Sequence, residues 1–270
     1  MYRSHQHCGK LGFTLTEMLV SVAMLALIVV LTASAVQLAS RSWIDGQARA
    51  DNFAKARSAL DLVARELRAS ILHPDVSSFE SPNGSEGLFF FSRHNATSGP
   101  RNLLAVGYQL STSGQTDVDQ IGLLRQHQLW TFEDRVPVDS MTSAMTDSET
   151  QQIGPGIIHF KAVFEERGGA SRETFSMDFS MPQALSNTEA VRMACVVVDD
   201  RTLTLLADTD QLGLVVNALR SAEPTTGERD AQAWENALDE LTANGSLAAV
   251  MRQGIRIFEQ TVKLPLPHAL

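Results

Sequence analysis

The sequence predicts an α+β protein. A long N-terminal transmembrane helix packs its second half against a strand-rich, antiparallel β head, and the head carries a helical insertion near the C-terminus. Three observations predict this. No residue from Met18 to Val36 is charged, and about 20 apolar residues suffice for a helix to span a bilayer. The stretch 40–72 lacks proline and spaces its apolar residues as one face of a helix. Beyond Pro74 the chain turns into short apolar runs separated by Gly, Pro, Ser and Asn, as in strands joined by turns.

The first element is the stretch "GKLGFTLTEMLVSVAMLALIVV", residues 9–30. One acid, Glu17, sits at the mouth of its apolar run. Arg3 and Lys10 lie ahead of it, so the N-terminus is expected in the cytoplasm and everything after Arg41 outside it. A secretory signal peptide is one reading, since Ala33-Ser34-Ala35 forms an A-x-A-like site before Val36. However, the apolar run exceeds the usual length of about 7–15 residues, and an acid directly follows the basic region. A plain signal anchor explains the hydrophobicity but not the order Gly-Phe-Thr-Leu-Thr-Glu. A carboxylate in a bilayer costs on the order of 2.5–3.5 kcal/mol at the centre and less near the edge, and it usually marks a function with a partner. An acid in a first helical turn also gains about 0.3–1 kcal/mol from the helix dipole. That gain does not account for the Gly and Phe ahead of it.

Gly12-Phe13-Thr14-Leu15-Thr16-Glu17, followed by the apolar run, resembles the N-methylation motif of type IV pilin-like proteins. The resemblance implies that residues 1–12 are a leader and that a prepilin peptidase cuts between Gly12 and Phe13. Phe13 would then be N-methylated. Glu17 would attract the N-terminal amine of a neighbouring subunit as it enters a filament. The implied partners are the prepilin peptidase, other pilin-like or pseudopilin subunits and the membrane. The implied location is the inner membrane, single-pass, with a cytoplasmic N-terminus and an extracytoplasmic head.

The span is expected over 13–39 and an amphipathic continuation over 40–72. In that continuation Phe53, Leu60, Val63, Leu67 and Ile71 share a face. Gly46 is a weak point, and Pro74 closes the pattern. A helix over 13–72 would be about 90 Å long. The head is expected over 73–270. Strands are read at 88–92, 103–110, 121–132, 157–166, 173–180 and 190–200. The segment 111–120 is read as a hairpin connection, "RGGASR" as a turn, and 134–156 as a polar loop that a protease should nick first. Residues 201–222 and 231–244 read as helices, the second stopped by Asn244-Gly245, and "SLAAVMRQG" as a further short one. Residues 255–265 return to extended character. The run "GYQL…IGLLRQHQLW" with a closing "IRIFEQTVKLP" resembles the minor pseudopilin J subunit of type II secretion systems. The layout is also similar to the Verru_Chthon cassette protein C group. Helical residues 201–253 depart from the J pattern and are read as an insertion between two strands.

Composition narrows the function. Lys and Arg total 22 against 31 Asp and Glu, a net charge of -9. An acidic chain is a poor match for nucleic acid, whose phosphates select basic faces. Two cysteines, Cys8 and Cys195, cannot build a disulfide framework or a cysteine zinc site. Cys195, in "MACVVVDD", reads as a buried apolar residue. "VVVDD" (196–200) lacks the Gly-Lys-Ser/Thr phosphate loop of an ATPase and reads as a strand end. "DTDQLG" and "DVD" hint at calcium without the terminal bidentate Glu. The histidines show no H-E-x-x-H, and no G-x-S-x-G elbow occurs. Trp43, Trp130 and Trp234 read as core or interface residues. These readings imply no catalytic residue, metal or cofactor. Two function classes remain: a non-enzymatic subunit of a filament machine, and a membrane-anchored extracytoplasmic binding module. A ligand-sized pocket with convergent polar groups would favour the second.

Overall fold

The computed structural model describes residues 14–70, 79–80, 87–94, 102–111, 121–131, 149–172, 188–224 and 228–264. The chain divides into two compact units, Met1–Gln47 and Ala48–Leu270. One helix, α1 (Leu15–Arg68, 54 residues), contributes to both.

In the first unit the apolar side chains from Leu15 to Leu38 are 56–77% exposed. This is the one described helix long and apolar enough to cross a membrane. Three of its hydroxyls bond to the helix's own carbonyls. Ser21 Oγ donates to the Glu17 carbonyl (2.8 Å), Thr32 Oγ1 to that of Ile28 (2.6 Å) and Ser34 Oγ to that of Leu31 (2.8 Å). A polar group in hydrocarbon needs such an internal partner.

In the second unit α1 buries Ala56, Ala59, Leu60, Val63, Ala64 and Leu67, all at most 3% exposed. The expected stripe holds at Leu60, Val63 and Leu67. Phe53 is half-buried and its ring packs on Phe258 at 5.8 Å. The alanines, absent from that stripe, join it in the buried core that α1 shares with the sheets. The helix runs on through Gly46 and ends at Arg68, short of Leu72. The reason lies in the sheet: Ser70 bridges to Ser92, and the Arg93 amide donates to the Ala69 carbonyl (3.0 Å). Strand pairing captures the backbone groups that a further helical turn would use. Ile71 and Leu72 lie outside the described residues.

Among the described residues nine strands form two antiparallel sheets. β1 (Phe79–Glu80), β2 (Gly87–His94), β3 (Asn102–Leu110), β4 (Gly122–Thr131) and β5 (Glu149–Pro155) pair in that order. β6 (Ile157–Glu166), β7 (Ser171–Arg172), β8 (Thr188–Val198) and β9 (Ile255–Lys263) make the second sheet, ordered β7-β6-β8-β9. The expected polar loop over 134–156 is corrected at its end, since 149–155 is β5, registered on β4 as Gln152 on Leu124 and Glu149 on His127. Backbone pairing overrides the polar composition there. The rest of that loop, the connection 111–120 beyond Ser111 and the expected strand 173–180 lie outside the described residues. Ser171 and Arg172, read as part of a turn, already pair with Glu165 and Phe164.

Gly156 joins the sheets. Its amide donates to the Ile121 carbonyl (3.1 Å), and its own carbonyl accepts from the Val198 amide (2.8 Å). Its φ is 75°, and a Cβ there would lie 2.6 Å from the Val198 oxygen. Glycine is required on both counts.

The insertion consists of α2 (Asp200–Asp208), α3 (Leu212–Ser221), α4 (Asp230–Ala243) and α5 (Ala249–Gln253). It leaves the sheet at Val198 and returns at Ile255, which are register partners. The four helices therefore close on adjacent strands without disturbing the ladder. The single helical stretch expected over 201–222 is two helices. Asp210 adopts φ 56°, and the Gln211 amide reaches back to the Leu206 carbonyl (2.9 Å). A left-handed residue after the helix end satisfies orphan carbonyls and reverses the chain.

Two clusters divide the core. One joins α1 to inward residues of both sheets, including Leu88, Phe90, Val106, Tyr108, Phe160 and Met193. The other lies between the opposite side of the second sheet and the insertion, and includes Ile158, Val196, Leu206, Leu219, Trp234 and Leu238. Alternation along β8 supplies both, with Val191, Met193, Cys195 and Val197 on one side and Ala194, Val196 and Val198 on the other. A strand buried on both faces reads as a continuous apolar run, which is what "MACVVV" is.

Candidate functional site

Glu17 lies in the first turn of α1 and is exposed. Its amide donates to Thr14 Oγ1 (3.3 Å), so Thr14 caps the helix. Gly12 and Phe13 lie outside the described residues. The N-terminal segment presents one carboxylate at the edge of an exposed apolar helix, with no neighbouring group to neutralise it among the described residues.

The Ala48–Leu270 unit carries its polar chemistry in three places that the sequence did not reveal. The first is where α1 meets the first sheet. Arg125 sits opposite Tyr108 in the β3–β4 register. Its Nη2 donates to Glu66 Oε1 (2.7 Å) and its Nε to Glu66 Oε2 (3.3 Å), a forked pair. The Tyr108 hydroxyl donates to the same Glu66 Oε2. Burial, followed by the Glu66 charge, raises the Tyr108 pKa far above its ordinary value. Burial works against the Arg125 charge, but Glu66 outweighs it and holds that pKa above the usual arginine value.

The second is between the second sheet and α4. Lys161 Nζ lies 2.7 Å from Asp230 Oδ1. Arg192 Nη1 lies 3.7 Å from Asp230 Oδ2 and 3.9 Å from Glu259 Oε2, and Arg192 Nε lies 3.1 Å from Glu165 Oε1. Beside this network His159 meets Trp234 edge to face at 4.7 Å. Burial, then the Arg220 and Lys161 charges, push the His159 pKa down to about 4. The unfolded chain therefore binds this proton more readily than the folded one. His159 contributes stability in full above its ordinary pKa of about 6.5, and that stability is lost as pH falls from 6.5 through 4. The expected loss between pH 7 and pH 4.5 is roughly 2–3 kcal/mol. Urea denaturation of the wild type and of His159→Phe at both values checks it, because the variant should lose less stability over the same range. Equal losses would exclude the effect.

The third is the root of the insertion. Asp199 Oδ1 accepts from the Thr202 amide (2.7 Å) and caps α2, while Oδ2 lies 3.7 Å from Arg49 Nε on α1. Gly254 packs so closely there that a Cβ would lie 1.9 Å from Thr202 Oγ1. The "VVVDD" acids thus have a structural use, with Asp199 as a cap and Asp200 in the first turn.

Little of this is suited to catalysis. Cys195 is buried, and burial pushes its thiol up to about 12, which keeps it protonated. Among the described residues no group of three His, Cys, Asp or Glu could hold a metal ion. The "DTDQLG" segment forms the α2–α3 turn, and "DVD" lies outside the described residues. Trp234 is a core residue, whereas Trp43 is 76% exposed. One open cleft of about 440 Å³ lies beside the end of α1, lined by Arg65, Glu66, Arg93, Leu104, Arg125 and His127 among others. His127 Nε2 is 3.5 Å from the exposed Glu149. The alternation of β4 puts Leu123, Arg125 and His127 on one face, toward α1. That is the only trace of the cleft in the sequence.

No protein-family model matches the chain, and no curated protein matches it. Among solved structures it is similar to a type IV-like pilin, TTHA1219 from Thermus thermophilus, at 13% identity and a TM-score of 0.38, covering 82% of this chain and 98% of that one.

Proposed function

We propose that the chain is a non-enzymatic minor pilin-like or pseudopilin-like subunit of a secretion or type IV pilus-type filament machine, inserted in the inner membrane and assembled through its N-terminal helix. The observation that carries this reading is the ordered Gly12-Phe13-Thr14-Leu15-Thr16-Glu17 stretch directly ahead of a helix whose apolar residues are exposed. In this reading 1–12 is the leader, 13–39 spans the membrane, 40–72 continues the helix and 73–270 is the extracytoplasmic head. The prepilin peptidase and other pilin-like subunits are its partners.

N-terminal mass spectrometry of the mature protein tests the processing. The expected species begins with N-methylated Phe13, and a chain beginning at Val36 would replace this reading with a secreted protein. Glu17 is tested separately, because it lies outside the Ala48–Leu270 unit and contributes nothing to that unit's core. Glu17→Ala should insert as well as wild type or better, since a charge is removed from the bilayer. Its recovery with pilin-like partners from membranes should fall about tenfold, the equivalent of one charge pair of about 1.4 kcal/mol. Glu17→Asp should retain part of the recovery. Undiminished recovery of the alanine variant would reduce the carboxylate to a helix-dipole contact.

A second reading, a membrane-anchored extracytoplasmic binding module, is favoured by one observation. The cleft at the end of α1 is of ligand size and its polar groups converge from a helix and a sheet.

A further inference from the structure

We propose that the basic cleft at the end of α1 binds a carboxylate-bearing polypeptide segment, an acidic stretch of a partner protein. Among the described residues three guanidiniums, those of Arg65, Arg93 and Arg125, line it against one carboxylate, Glu66. Glu66 is already engaged by the Arg125 fork and the Tyr108 hydroxyl. Arg65 and Arg93 are exposed, and among the described residues neither has an ion-pair partner. The chain as a whole is acidic, at -9, so a cleft with surplus positive charge stands against the general field of the molecule.

The helix dipole explains part of this. Arg65 and Arg68 occupy the last turn of α1, where cations are favoured. It does not explain Arg93 from β2 or Arg125 and His127 from β4, which converge on the same opening from the sheet. Pairing with Glu66 fixes the Arg125 plane before any ligand arrives, which lowers the ordering cost of binding.

The shape favours an extended chain. A second, shallow groove of about 360 Å³ shares Arg65 and continues along α1 past Asp61, Ser58, Arg57 and Ala54. The small side chains leave room for a backbone, and arginines at intervals suit successive Asp or Glu side chains. Among the described residues neither groove is lined by a Trp, Tyr or Phe ring on which a sugar could rest, so an acidic polypeptide fits better than an acidic polysaccharide. The chemistry of the cleft does not depend on how the N-terminal segment is processed.

The test uses the full chain in nonionic detergent micelles and fluorescein-labelled hexaglutamate, read by anisotropy at low salt. Saturable binding is expected, weakening as salt is raised. Arg65→Glu and Arg93→Glu should each weaken it about tenfold or more, since a hydrogen bond to a charged group is worth at least that much. Both residues lie outside the buried clusters, so circular dichroism should be unchanged. Arg167→Glu, at an exposed turn elsewhere, should bind as wild type does. Absence of saturable binding, equal affinity in all three variants, or displacement by oligogalacturonate or inorganic phosphate at concentrations no higher than unlabelled hexaglutamate would each overturn the proposal.

Discussion

Glu66→Ala is expected to destabilise the Ala48–Leu270 unit by about 3–5 kcal/mol, the range for removing one partner from a buried ion pair. The Glu66 and Arg125 side chains are only 16% and 13% exposed, and Tyr108 is fully buried. Without the carboxylate, the guanidinium keeps its desolvation cost with no compensating charge. The Tyr108 hydroxyl also loses the Glu66 carboxylate as its acceptor. Glu66→Gln keeps an acceptor of the same shape and should lose less. Urea denaturation followed by near-UV circular dichroism checks both variants. If alanine and glutamine cost the same and neither exceeds about 1 kcal/mol, the cluster behaves as a surface pair and its burial has no energetic consequence.

Asp230→Ala should act on the insertion by a similar amount, about 3–5 kcal/mol. Asp230 is 3% exposed at its side chain and faces Lys161 and Arg192, which are 12% and 11% exposed. Its loss leaves two cations between the second sheet and α4, with Glu259 and Glu165 still near Arg192. Hydrogen exchange should show α4 and its neighbours opening before the sheet does. The double variant Asp230→Leu with Lys161→Met should recover much of the loss, because apolar replacement of a buried pair is often neutral or stabilising. Failure of the double variant to recover would mean that the geometry of this network, and not its charge balance, holds the insertion.

Several elements were legible in the sequence because their signals are local. The apolar run of α1, the strands at 103–110 and 157–166, the strand expected over 190–200 as far as Val198, and the stop at Asn244-Gly245 each follow from periodicity or from one turn residue; Asp199 and Asp200, expected at that strand's end, instead cap and open α2. The insertion was legible as helical sequence between two strand-like runs. The β8–β9 register then placed its two ends side by side. The errors have one physical origin. The end of α1 at Arg68, the strand Glu149–Pro155 and the break at Asp210 are each decided by hydrogen bonds to residues distant in sequence or by a single backbone angle, and neither leaves a mark in side-chain periodicity.

The site divides in the same way. Gly12, Phe13 and Glu17 are read in line because the proposed peptidase and membrane would both meet the chain as a linear segment. Order and spacing are the whole of that chemistry, and the sequence determines them alone. Arg65, Arg93 and Arg125 are scattered over a helix and two strands, and each reads singly as a solvated surface cation. Only tertiary structure brings them to one opening, and only it shows that Glu66 is already engaged. Charge surplus depends on distance and on which partners are occupied, and neither is a property of order along the chain.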